Sequence, residues 1–138
     1  MNTIELDTKF FTGGNATFTV DNGQGVHYTF KIRQPKGCDK HFVSLLTGPC
    51  NETSYTYLGI VDTITGEVRL TAKSKYKDDT TPVKVIRWAL KHAFTDKLLP
   101  DGYTLKHAGK CGCCGRTLTE PTSLLRGIGP ECWSRIAG

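Results

Sequence analysis

The stretch His107-Ala-Gly-Lys-Cys111-Gly-Cys113-Cys114-Gly115-Arg116-Thr-Leu-Thr-Glu-Pro-Thr-Ser-Leu-Leu-Arg126-Gly127-Ile-Gly129-Pro130-Glu-Cys132-Trp133 decides how this chain must be built at its C-terminal end. Cys111 and Cys114 have the spacing of a zinc knuckle, a tight turn that aims two thiolates at one metal. Gly115 follows the second cysteine and permits the positive φ such a turn uses. Backbone N–H groups can then point at sulfur and hold its negative charge. Cys132 is the expected third ligand. His107, four residues before Cys111, is the expected fourth, completing a Cys3His set of the structural kind. Cys113, Cys38 and Cys50 stay open as substitutes for that fourth position. Cys113 lies between the two knuckle cysteines, where it would not form the turn, and is expected as a free, outward-pointing thiol. The plainer alternative, a set of free or redox-active cysteines, fits the spacing less well.

Upstream of this stretch, Tyr103, Leu105 and His107 alternate, which predicts an extended approach. The Asp101-Gly102 connection is short, so the C-terminal module is expected to pack on what precedes it. Before it comes the clearest helix, over 82–98. Thr80 or Thr81 would cap it, Pro82 suits its first turn, and Val83, Ile86, Ala89, Leu90, Ala93 and Phe94 form an apolar stripe. Further upstream, alternation predicts strands over 16–20, 26–33, 42–47, 55–61 and 67–72, with Asn22-Gly23 as the tip of the first hairpin. Residues 1–12 read as an irregular lead-in or an edge strand. The fold class is α+β: an antiparallel β-meander packed on one helix, with a C-terminal treble-clef-like zinc module. The division expected is an α+β domain over 1–100 and a zinc-binding module over 101–138.

The string CxxCGRxLTxPxSxxxGIGPxC carries a resemblance. Its residues here are Cys111, Cys114, Gly115, Arg116, Leu118, Thr119, Pro121, Ser123, Gly127, Ile128, Gly129, Pro130 and Cys132. It resembles a short cysteine motif, a domain of unknown function, in uncharacterised proteins of bacteria and their phages, and it covers only about Tyr103 to Gly138. The resemblance implies a metal-bound module and a phage or mobile-element context. The family's arginine at the position of Cys113 implies that Cys113 stays out of the metal. The Gly127–Pro130 run also resembles the hairpin of a helix-hairpin-helix motif, whose glycine amides approach a DNA phosphate. Here the glycines are expected mainly to shape the turn that presents Cys132 at a helix N-terminus.

Composition bounds the function. The chain has 138 residues, six cysteines, a net charge of +5 and a pI of about 8.9. No apolar run approaches the ~20 residues of a membrane span, and the N-terminus does not read as a signal peptide. Clustered cysteines without a signal favour a reducing cytoplasm, that of the host cell if the protein is phage-encoded. The positive balance suits nucleic acid. Lys73, Lys75 and Lys77 would project from one side if their strand ran on, and Lys84, Arg87 and Lys91 share a helix face. Arg116 and Arg126 would add contacts. Edge protection and plain solvation are the competing readings of these lysines. The hairpin strand 26–33 also turns His27, Thr29, Lys31 and Arg33 outward. Cys38, His41 and Cys50 make a weak second metal set without a knuckle. No paired carboxylates, phosphate loop or convincing triad suggests an enzyme. The expectation is a non-enzymatic zinc-containing phage or mobile-element protein that binds nucleic acid. The alternative is a phage protein that inhibits a host defence or transcription protein, in the manner of an anti-CRISPR.

Overall fold

The computed structural model describes residues 2–49 and 54–137. Cys50, one of the substitute ligands, lies outside the described residues. The fold is mixed α/β around a curled antiparallel sheet. In chain order come β1 (Asn2–Thr3), α1 (Thr8–Thr12), β2 (Asn15–Asp21), β3 (His27–Arg33), β4 (His41–Leu46), β5 (Tyr55–Val61), β6 (Val68–Arg69), α2 (Thr81–Phe94), β7 (Leu98–Leu99), β8 (Thr104–His107), α3 (Pro121–Arg126) and α4 (Pro130–Ala137). The sheet order is β6-β5-β4-β3-β2-β8, and a separate ribbon pairs β1 with β7. The meander therefore runs from β2 to β6, and β8 returns to its far edge beside β2.

Alternation builds the sheet. In β2, Ala16, Phe18 and Val20 are buried while Asn15, Thr17, Thr19 and Asp21 face the other way. In β3, Phe30 and Ile32 are buried opposite Lys31 and Arg33. Asn22 Oδ1 accepts N–H bonds from Gln24 and Val26 and closes the hairpin where Asn-Gly chemistry predicts it. Val26, expected inside, is half exposed beyond the end of β3. A register shift between Val43 and Ser44 marks a bulge in β4, the kind of irregularity that bends a strand and curls a sheet.

The core joins buried sheet residues to Val83, Ile86, Ala89, Leu90 and Ala93 of α2. The helix is shorter than the predicted 82–98. It ends at Phe94, because Lys97 adopts φ 57° and Leu98–Leu99 leave to pair with β1. At the other end Thr80 holds the cap position, but its hydroxyl donates to the Lys77 carbonyl at 2.7 Å and does not cap the helix. The lead-in contains a short helix that the sequence pattern did not suggest. Asp7 caps α1 by accepting the Lys9 N–H at 2.9 Å, and α1 drives Phe10 and Phe11 into the core. The strand expected over 67–72 stops at Arg69, since Thr71 and Ser74 tie the chain into a turn.

The C-terminal segment shares this core. Cys111, Leu118, Ile128 and Cys132 belong to the same buried cluster as the sheet. Asn15 N–H donates to the Gly112 carbonyl at 2.7 Å, and Asp7 N–H to the Arg126 carbonyl at 3.3 Å. Phe10 is the wedge between them. A Cβ on Gly112 would lie 2.6 Å from the Phe10 carbonyl, and one on Gly127 would lie 2.5 Å from the Phe10 ring.

Candidate metal centre

The site is assembled by a turn and a helix end. Lys110 bridges antiparallel to Thr117, and the cysteine turn lies between them. Cys111 N–H donates to the Arg116 carbonyl at 2.8 Å and Gly115 N–H to the Cys111 carbonyl at 3.0 Å. Gly115 sits at φ 79°, a conformation glycine takes without penalty. Downstream, Gly127 ends α3 at φ 77°, and Pro130 starts α4 so that Cys132 falls in its first turn.

These elements bring the thiols of Cys111, Cys113 and Cys132 within 4.8 Å of one another, a group able to hold a metal ion. Cys114, next in the same turn, is exposed. Three thiols thus surround one point. Negative charge there has fixed partners. Cys113 N–H and Gly129 N–H donate to Cys111 Sγ at 3.4 and 3.3 Å, and Arg135 Nη2 donates to Cys132 Sγ at 3.2 Å.

The three converging sulfurs are not equivalent. Burial pushes the Cys111 thiol up, but the backbone N–H groups of Gly129, Cys114 and Cys113 outweigh it and bring the pKa down to about 7. Cys113 is pushed up to about 12 by burial and then by the charges of Cys111 and Cys132. Burial also raises Cys132, against the opposing Arg135 guanidinium. Cys111 is therefore the thiol most ready to ionise, and a cation would favour ionisation of Cys113 and Cys132 beside it.

Two expectations about this stretch change. Cys113 does not point outward. Its Sγ turns into the cluster, filling the space left by Gly13, where a Cβ would approach it to 2.6 Å. Asn15 Nδ2 holds the Cys113 carbonyl at 2.8 Å and fixes this orientation. His107, expected as the fourth ligand, engages both ring nitrogens elsewhere. Its Nε2 donates to the Leu124 carbonyl at 2.6 Å and its Nδ1 accepts the Gly109 N–H at 2.8 Å. The glycine turn also has a duty of its own: the Gly129 amide, which the helix-hairpin-helix reading would offer to phosphate, is aimed at sulfur. In the weak second set, Cys38 is partly exposed and His41 is buried against the Thr12 carbonyl at 2.7 Å.

The basic residues are dispersed. Lys73, Lys75 and Lys77 lie in turns between β6 and α2, not on a strand. Arg87 is committed to structure: Nε and Nη2 donate to the Val68 carbonyl and Nη1 pairs with Asp78 at 2.6 Å. Lys84 borders an apolar pocket with Trp88 and Tyr103, whereas Lys91 lies beside Phe94 and Thr95. Arg116 pairs with Glu131 at 3.7 Å, and Arg126 stacks over Trp133 with 4.5 Å to the ring centroid.

A family of unknown function, DUF6011, matches residues 106–137, the segment that carries the cysteine cluster. No curated protein and no solved structure matches the chain.

Proposed function

We propose that this is a non-enzymatic, zinc-containing protein of phage or mobile-element origin that binds nucleic acid, with Cys111, Cys113, Cys114 and Cys132 on one zinc. The carrying observation is the convergence of the Cys111, Cys113 and Cys132 thiols, with N–H donors and a guanidinium already aimed at two of them, and Cys114 completes the four from the same turn. Thiolate-rich tetrahedral sets suit zinc, and four protein sulfurs leave no open position for a substrate. The bridged turn around the knuckle, followed by a helix that supplies Cys132, supports a treble-clef-like description of the module. Zinc here is structural: it holds α4 and the turn against the sheet. The net charge of +5 supports a polyanionic partner.

Elemental analysis of protein purified without chelators tests the metal. One zinc per chain is expected, with a colourless solution; iron, or no metal, would overturn the site. Binding of mixed-sequence DNA and RNA, measured against salt, tests the partner. Affinity should fall linearly on a log–log plot as counterions are released.

A second reading, inhibition of a host defence or transcription protein, draws support from Leu124 and Leu125. These leucines are 39% and 56% exposed beside the edge strand β8. Capture of one host protein that survives nuclease treatment, without any salt-sensitive nucleic-acid binding, would favour it.

A further inference from the structure

The outward face of the sheet carries a concavity of about 700 Å³ that neither the core nor the cysteine cluster uses. Its floor is the polar side of β2 and β3: Asn15, Thr17 and Thr19 next to Thr29, Lys31 and Arg33. Thr19 and Thr29 share a hydroxyl bond of 2.7 Å across the strands. Lys106 pairs in register with Thr19 and is exposed on the same face. The cysteine turn supplies one rim through Lys110 and Gly115. Tyr55 lies at the other side, with the Lys31 ammonium 5.1 Å from its ring centroid, and Phe42 and Tyr57 stack edge to face beyond it at 6.0 Å. Among the described residues no Asp or Glu lines the concavity.

We propose that this face is the nucleic-acid site, and that it takes unpaired nucleotides: Arg33, Lys106 and Lys110 contact phosphates while Tyr55 stacks a base. The proposal rests on the nucleic-acid reading above and names its surface and strandedness. Cations spaced around a strip of hydroxyls and half-buried rings match a single strand, whose bases are free to stack. A duplex keeps its base faces stacked on one another and leaves none for Tyr55. The alternative surface on α2 fits less well, because Arg87 is spent on Val68 and Asp78, and Lys84 and Lys91 border different pockets.

The test uses the zinc-loaded full chain and fluorescein-labelled oligothymidylate and oligouridylate of about 15 nucleotides, with a duplex of equal length as competitor. The Arg33→Ala/Lys106→Ala/Lys110→Ala variant should keep its zinc and circular dichroism. It should lose affinity at low salt and flatten the log–log salt slope by about 2, at ~0.7 for each phosphate contact on a single strand. Tyr55→Leu should weaken binding about tenfold and Tyr55→Phe should restore it. The Lys84→Ala/Lys91→Ala control should bind as the wild type does. The two oligonucleotides compare deoxyribose with ribose, and binding of either supports the site. If the wild type binds but the triple variant keeps its affinity and slope, or if duplex competes better than single strand, the proposed face is wrong and the nucleic-acid reading stands. If the wild type binds no oligonucleotide or duplex at low salt, both fall.

Discussion

Cys113 turns inward because of a residue a hundred positions away in the chain. Gly13 has φ −75°, which any amino acid adopts, so its lack of a side chain serves space and not backbone freedom. A Cβ there would meet Cys113 Sγ at 2.6 Å and the Gly112 carbonyl at 2.7 Å. Gly13→Ala is therefore expected to cost about 1–3 kcal/mol by overpacking and to weaken zinc retention against a chelator. Thermal melts and a competitive chelation titration measure both; unchanged retention would mean that Cys113 is not a ligand. His107 gives the opposite expectation. Its Leu124 and Gly109 bonds are structural, so His107→Ala should lower stability by about 1–2 kcal/mol while one zinc per chain remains. Loss of zinc from His107→Ala, with zinc kept in Cys113→Ser, would restore the Cys3His set.

At the scale of elements, α1 locks the cysteine module to the sheet. Phe10 is fully buried, makes edge contacts with Phe11 and Phe18, and fits where Gly112 and Gly127 lack side chains. Truncation to Ala should cost about 3–5 kcal/mol and speed metal loss, because the wall of the turn loses its support. Arg87 ties α2 to β6 in the same structural sense. Arg87→Lys should destabilise the chain by about 1–2 kcal/mol without changing nucleic-acid affinity, since an ammonium lacks the fork that reaches Val68 and Asp78 together. Urea melts and the oligonucleotide assay separate the two effects.

These elements also show what the chain discloses before it folds. The β2–β3 hairpin was legible because alternation of Phe18, Phe30 and Ile32 with threonine and basic residues encodes a two-sided surface directly. The apolar stripe of α2 was legible for the same reason. Five residues of α1 contain too little periodicity to read, although Asp7 before Thr-Lys-Phe-Phe is a capping signal. The cysteine spacing pointed to Cys111, Cys114 and Cys132 as partners, and the structure brings Cys111 and Cys132 together with Cys113 as the third sulfur of the group. It could not reveal the direction of Cys113 or the hydrogen bonds of His107, because those are set by Gly13, Asn15 and Leu124, contacts with no local signature. The lysines at 73–77 misled by their alternation, which imitates a strand where Thr71 and Ser74 make a turn.

For the whole molecule, the question is whether residues 1–100 and 101–138 respond as two units or as one. Cys111, Leu118, Ile128 and Cys132 are in one buried cluster with Phe10, Phe18 and the α2 residues, and β8 is hydrogen-bonded to β2 along four register pairs. A module joined in that way cannot open without exposing the edge of the sheet and the Phe10 wedge. Zinc binding free energy should then stabilise the entire chain by mass action, not the last segment alone. Calorimetry of the zinc-loaded protein is expected to show a single transition. Chelation should move that transition downward as a whole, by roughly 2–4 °C for each kcal/mol lost in a chain of this size. Two resolved transitions, with the upper one indifferent to chelator, would divide the molecule at the Asp101-Gly102 connection. The same removal of zinc should weaken oligonucleotide binding, because Lys110 and Gly115 form one rim of the basic concavity and move with the cysteine turn.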